Sequence, residues 1–206
     1  MKVILLASLV ALAHVDSARA QTAATYRVIS GLSQASYAVD EVFFNENNRL
    51  FTAVGVTPAV SGSLLLDINR PGDARLLELV VDLRPLRSDS ERRDRAVRFK
   101  YLDTNRFPYA RLSSAALRGM PRAITHGRVF RYSLSGDLEV HGVTKRTTWQ
   151  GEATISGDTL RGVARSTVKM SAFGIEVPSL LTLRSADDVK LEIRFVAVMD
   201  RNRELR

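Results

Sequence analysis

The residue types that carry catalysis are few in this 206-residue chain, and their spacing does not gather them. Beyond the N-terminal segment the histidines are His126 and His141, and they form neither an HExxH pair nor any other metal-ligand spacing. Cysteine is absent, which excludes disulfides, thiolate metal sites and a thiol nucleophile. No serine sits in a GxSxG turn, and no glycine-rich loop is built to cradle phosphate. Asp82, Asp89, Asp94 and Asp103 read as caps and salt-bridge partners, with nothing pairing them as acid and base. Arg92-Arg93-Asp94-Arg95 reads as a helix-surface network, within a basic cluster of Arg92, Arg93, Arg95 and Arg98. An enzyme acting at a barrel mouth would need a polar group such as Arg93, Asp94 and His141, and no motif supports one. The expectation is a binding module with no catalytic residue and no metal.

The first residues point outside the cell. Met1–Ala20 has a basic Lys2, an apolar run Val3–Ala13 too short to span a bilayer, and the small-x-small site Ala18-Arg19-Ala20. It reads as a signal peptide cleaved near Ala20, leaving residues 21–206 as one domain, periplasmic or secreted. An uncleaved anchor or a buried N-terminal helix is the weaker alternative. The formal net charge is +8, and loss of Lys2, Asp16 and Arg19 lowers it by one. Export and the scatter of the arginines argue against nucleic acid. A basic surface that meets an anionic membrane face or an acidic partner is the preferred reading, and simple solubility is the alternative.

The elements that would position any site follow a two-residue period. From Phe130 to His141, Phe130, Tyr132, Leu134, Gly136, Leu138 and Val140 alternate with polar residues, as a long strand with one buried face requires. His141-Gly142-Val143-Thr144 ends it, with Gly142 as the bend, and Thr147, Trp149, Gly151, Ala153 and Ile155 share a face beyond. Further strands are expected at Tyr26–Ser30, Gln34–Phe44, from Val60 to Ile68, from Leu77 to Leu83, Tyr109–Leu117, from Leu160 to Val168, and from Val189 to Ala197. Asn45–Arg49 reads as a polar loop. Ser88 is expected to cap a helical stretch Glu91–Asp103, split in two, with Glu91 completing a capping box. Arg201–Arg206 reads as a frayed tail.

About eight strands at hairpin spacing, without strand–helix alternation, predict an all-β fold. The expected form is an eight-stranded antiparallel barrel with a short helical insertion, since closure removes sheet edges; a two-sheet sandwich is the alternative. A barrel of this size is filled by side chains or holds one small ligand. Gly62, Gly136, Gly151, Ala153, Gly162, Ala164 and Ser166 on inward faces leave room, or equally let strands pack closely.

Several segments, in order, resemble the YceI-like family of exported bacterial proteins. They are Ser33-x-Ala35-x-Tyr37-x-Val39, Val60-Ser61-Gly62-x-Leu64, Leu86-Arg87-Ser88-Asp89, Arg93-Asp94, Tyr101-Leu102-Asp103 and Arg106-Phe107-Pro108. Leu134-Ser135-Gly136-Asp137-Leu138, His141-Gly142-Val143-Thr144, Phe173-Gly174-Ile175 and Asp188-Val189-x-Leu191 continue the series. The loop Asn45–Ala53 and the cluster Arg92–Arg98 have no counterpart carried by the resemblance. The resemblance implies a lipocalin-like barrel with an apolar tunnel for a polyisoprenoid or related amphiphilic lipid.

The expected lining is Tyr37, Val39, Leu64, Leu66, Phe130, Tyr132, Leu134, Trp149, Phe173, Leu191, Ile193 and Phe195. Tyr37, Tyr132 and Trp149 offer polar atoms to a quinone-like head. Burial at roughly 0.8 kcal/mol per methylene brings a few isoprene units to about micromolar affinity after binding costs. No cofactor is expected besides the lipid. The expected partners are a polyisoprenoid or quinone-like lipid, an anionic membrane surface and a second copy of the chain. The competing expectation is a filled barrel acting as a stress or partner-binding protein.

Overall fold

A computed structural model of the chain describes residues 23–201. The expected leader, its cleavage site and the tail beyond Arg201 lie outside them. Eleven strands follow in order: β1 (Ala24–Val28), β2 (Gln34–Phe43), β3 (Arg49–Thr57), β4 (Val60–Leu66), β5 (Arg75–Asp82), β6 (Tyr109–Arg118), β7 (Phe130–Val140), β8 (Val143–Ser156), β9 (Thr159–Lys169), β10 (Ser179–Leu180) and β11 (Leu183–Met199). All pairings between them are antiparallel.

Eight strands close a barrel in the order β1-β4-β5-β6-β7-β8-β9-β11, with β11 returning to β1. Closure depends on β11, which is long enough to serve two partners along one edge. Its residues Ala197–Met199 pair with β1, and its earlier residues, from Leu183 to Arg194, pair with β2. Between them the chain turns through Gly31, whose φ of 84° suits glycine. Ser33 covers the break: its hydroxyl accepts from the Val196 N–H at 3.1 Å and lies 3.4 Å from the Val196 carbonyl. A side chain thus takes the place of strand backbone where β1 and β2 both leave the ladder.

The end of the barrel nearest β1 is called the lower end here, and the end carrying β2 and β3 the upper end. At the upper end β3 pairs with β2 and then meets the loop after β5 through a single bridge, Val56 to Arg87. The helical insertion follows that loop. It is one turn of α-helix, α1 (Glu91–Arg95), running on as a π-helical stretch Ala96–Tyr101.

Three expectations change. Asn45–Arg49 is a one-turn 3-10 helix, Phe44–Glu46, leading into β3, a strand the alternation did not reveal. The reason is inverted polarity: Ala53, Gly55 and Thr57 are buried, while Leu50 and Val54 point outward. The helix is capped by Ser90, whose hydroxyl accepts from the Arg93 N–H at 3.4 Å. Ser88 instead gives its N–H and its hydroxyl to Asp94, at 2.7 and 2.6 Å, which fixes the loop to the helix. The β7–β8 connection is the two-residue loop His141-Gly142, with φ of 54° and 74°, so the second strand starts at Val143.

Candidate functional site

Inward side chains fill the lower end and leave the upper end hollow. Tyr132 lies against Gly151, where a Cβ would come within 2.3 Å of its ring. Phe195 lies over Gly162, where a Cβ would meet the ring at 2.7 Å and the Glu152 carbonyl at 2.8 Å. These glycines make room for rings, and only a void of about 70 Å³ remains beside them. Trp149 forms the floor between the two ends. It is 1% exposed, touches both spaces, and donates from Nε1 to Thr147 Oγ1 at 3.0 Å.

Above Trp149 lies a cavity of about 500 Å³, inside the ~300–1,000 Å³ range of small-molecule sites. Strands β2, β5, β6 and β11 supply aliphatic walls, including Val39, Val81, Leu112 and Leu191. The helical insertion closes one side with Ala96, Val97, Tyr101 and Leu102, and Phe173 and Ile175 of the β9–β10 connection close another. A π-helical stretch widens the turn, a feature frequent at functional sites. Pro178, Leu180, Thr182 and Leu183 lie on the wall beside Phe43, at the hairpin tips.

Polar side chains interrupt this lining, Arg92, Arg111 and Glu192 among them, and one cluster centres on Glu41. Glu41 of β2 is buried, and its Oε1 accepts from Ser185 Oγ at 3.3 Å. Its Oε2 stands 3.8 Å from Arg93 Nη2 and is buried without a hydrogen bond. Burial holds the Glu41 carboxyl above its ordinary range, with Arg93 and Ser185 opposing. Arg93 also pairs with Asp89 and lies over the Phe51 ring, 5.3 Å from its centre. Tyr37 faces the same group; burial pushes its hydroxyl up to about 12, so it stays protonated. Its ring occupies the space beside Gly55, where a Cβ would come within 2.2 Å.

The YceI-like domain model matches residues 26–197. The chain belongs to the YceI-like family. Among solved structures, this YceI-like chain is similar to Burkholderia cenocepacia BcnA, at 18% identity and a TM-score of 0.63, covering 83% of this chain and 99% of that one. It is also similar to a polyisoprenoid binding domain from Saccharophagus degradans, at 16% identity and a TM-score of 0.60, covering 85% and 98%. The Campylobacter jejuni YCEI protein matches at 14% identity and a TM-score of 0.55, covering 72% and 85%. No curated protein matches the sequence.

The YceI-like barrel divides the expected lining between its two ends. Tyr37, Val39, Trp149, Phe173, Leu191 and Ile193 line the large cavity. Leu64, Leu66, Phe130, Tyr132, Leu134 and Phe195 surround the small void below Trp149 instead, and Ile193 and Trp149 touch both. The filled barrel foreseen as the alternative describes the lower end alone. Arg93, Asp94 and His141 each have partners of their own. Asp94 holds Ser88, while the His141 ring packs edge-on against Phe107 at 5.0 Å with Nδ1 3.4 Å from the Phe173 carbonyl. Among the described residues no group of three or more His, Asp and Glu side chains is placed to hold a metal.

Sequence reasoning missed Glu41 and the part that the expected helical stretch plays in the cavity wall. Glu41 had a readable signal: Ala35, Tyr37, Val39, Glu41 and Phe43 share one strand face, so a carboxylate falls in an apolar row. The wall from Ala96 to Leu102 had none, because its apolar residues make no single helical stripe.

Proposed function

We propose that this protein is an exported, non-enzymatic carrier that holds one isoprenoid-type lipid in the upper cavity. The observation that carries the reading is the cavity itself, about 500 Å³ with an aliphatic wall, walled on one side by a helical insertion. A prenyl tail needs such a space, since it gains free energy by leaving water and asks for few polar contacts. The likeness to a Saccharophagus degradans domain described as polyisoprenoid binding supports the same ligand class. Export follows from the leader read in residues 1–20, and N-terminal sequencing of the mature protein is expected to begin near Gln21.

The cavity rim also suits contact with an anionic membrane. Phe44, Leu50, Leu180 and Leu181 are exposed together on two hairpin tips, which are tied by the Phe44 N–H to the Thr182 carbonyl at 2.9 Å. Arg184 lies over the Phe44 ring, and Arg49, which also pairs with Glu46, lies over Phe43. Apolar side chains beside arginines fit the boundary between acyl chains and acidic head groups. Leu181→Asp combined with Phe44→Ser is expected to abolish co-sedimentation with phosphatidylglycerol vesicles. Unchanged sedimentation would remove the membrane contact from the reading.

Native mass spectrometry of the mature protein tests the carrier itself. A discrete added mass that is lost on denaturation and matches an isoprenoid lipid is expected. An apo mass, with no uptake of added farnesol or ubiquinone, would overturn it in favour of partner binding.

A further inference from the structure

We infer that Glu41, with Arg93 and Tyr37, forms a head-group subsite for a neutral lipid head that donates a hydrogen bond, a prenol-type hydroxyl, and that it disfavours a phosphate. The inference rests on the upper cavity being a lipid site and goes on to specify the lipid.

Glu41 belongs to the cavity wall, and so do Tyr37, Arg93 and Ser185. One carboxylate oxygen is satisfied by Ser185 and the other by nothing within hydrogen-bond reach among the described residues. A buried polar atom left in this state costs free energy, and native structures hold few of them. Arg93 does not supply the missing bond. Its Nη2 stands 3.8 Å away, and the guanidinium is committed to Asp89 and to the face of Phe51. What the site lacks is therefore one donor, delivered from the cavity side.

The charge around the subsite selects among heads that reach it. Beside Glu41, Arg93 is already paired with Asp89 and Asp94 is already held by Ser88, and the wider cavity wall carries Arg92, Arg111 and Glu192. A phosphate would bring negative charge against Glu41 Oε2, a buried acceptor that has no donor to offer it. A methyl ether or an oxidised quinone brings only acceptors to a carboxylate that is itself an acceptor. A hydroxyl donates to Glu41 Oε2 without any charge to bury. The Tyr37 hydroxyl, facing the same group, can donate to the oxygen of that head.

The test uses the full mature chain and three ligands with one tail: farnesol, farnesyl methyl ether and farnesyl phosphate. Their affinities are measured by tryptophan quenching, since Trp149 floors the cavity, and confirmed by calorimetry. The alcohol is expected to bind about tenfold or more tighter than the ether, as a hydrogen bond to a charged acceptor is worth. Glu41→Leu is expected to bring that ratio to about one while the ether keeps its affinity. Glu41→Gln keeps an acceptor oxygen without the charge, and is expected to retain part of the alcohol preference and to bind the phosphate better than the parent does. Equal affinity of alcohol and ether for the parent would overturn the subsite and leave the lipid cavity standing. So would tightest binding of the phosphate. No binding of any of the three would overturn the lipid reading and the subsite together.

Discussion

The two ends of the barrel use the same strands and the same alternation, yet one is solid and the other hollow. At the lower end aromatic rings pack against inward glycines: Tyr132 against Gly151 and Phe195 against Gly162. Each ring fills the volume its neighbour lacks, and about 70 Å³ is left. At the upper end Tyr37 lies on Gly55 by the same device, and β3 beside it reaches the loop after β5 only through the bridge to Arg87. The helical insertion then spans the opening without filling it, and about 500 Å³ remains. Stability is invested in the lower end and binding space in the upper, with Trp149 as the partition. The same ring-over-glycine contact gives a core when the ladder closes around it and a ligand wall when the ladder is left open.

The partition can be broken directly. Trp149→Ala removes the largest fully buried side chain, joins the two spaces, and frees Thr147 from its indole donor. A loss of about 3–5 kcal/mol is expected by chemical denaturation, the range for deleting a buried aromatic. If the loss were under about 1 kcal/mol, the lower end would not be the packed part of the molecule.

A matched pair of enlargements sharpens the contrast. At the lower end Gly162→Ala sets a methyl against the Glu152 carbonyl, the Ala153 Cβ and the Phe195 ring, at 2.8, 2.9 and 2.7 Å. It is expected to cost about 1–3 kcal/mol, as overpacking does. At the upper end Val39→Leu adds a methylene facing open space. Val39 is itself buried, but the added carbon meets cavity rather than packed atoms, so the expected cost stays below about 1 kcal/mol, while lipid uptake weakens because the added carbon takes ligand volume. Equal costs at the two sites would show that the cavity collapses in solution.

Much of this division was beyond the reach of the sequence, for a physical reason. Alternation says which residues face inward, and it placed β4, β7 and the core of β11 correctly. It does not say at which height along the barrel axis a residue lies. Val39 and Leu64 read alike, yet one lines the cavity and the other the small void. Height is set by register, and register here turns on β1 and β2 sharing one edge of β11 across the Ser33 break. β3 escaped notice because its inward residues are small or polar and its exposed ones are apolar. The family resemblance supplied the tunnel that periodicity left open, and the fold agrees with it. The inward row of β2 carried the Glu41 signal in plain view.

The smallest expected effect concerns that carboxylate. Its folded-state pKa is raised, chiefly by burial, with Arg93 and the Ser185 hydroxyl pulling the other way and Asp89 adding to the rise. The folded protein therefore holds the proton more tightly than the unfolded chain does. The ionised group opposes folding above the folded pKa, and this opposition vanishes below the ordinary carboxylate range, near 4.5. Asp82 and Asp187 act in reverse. Hydrogen bonds from Arg84 and from Ser171 lower their values, so their support is present above the ordinary range and fades as pH falls through the lowered ones. The two effects overlap in the parent, and Glu41→Gln separates them. At pH 7 the variant is expected to be the more stable of the two, and at pH 4 the difference is expected to shrink. The check is a pair of urea denaturation curves at each pH, without lipid. A difference that stayed constant with pH would mean that the Glu41 carboxyl finds in solution the donor it lacks here, and that the upper end is less dry than its lining implies.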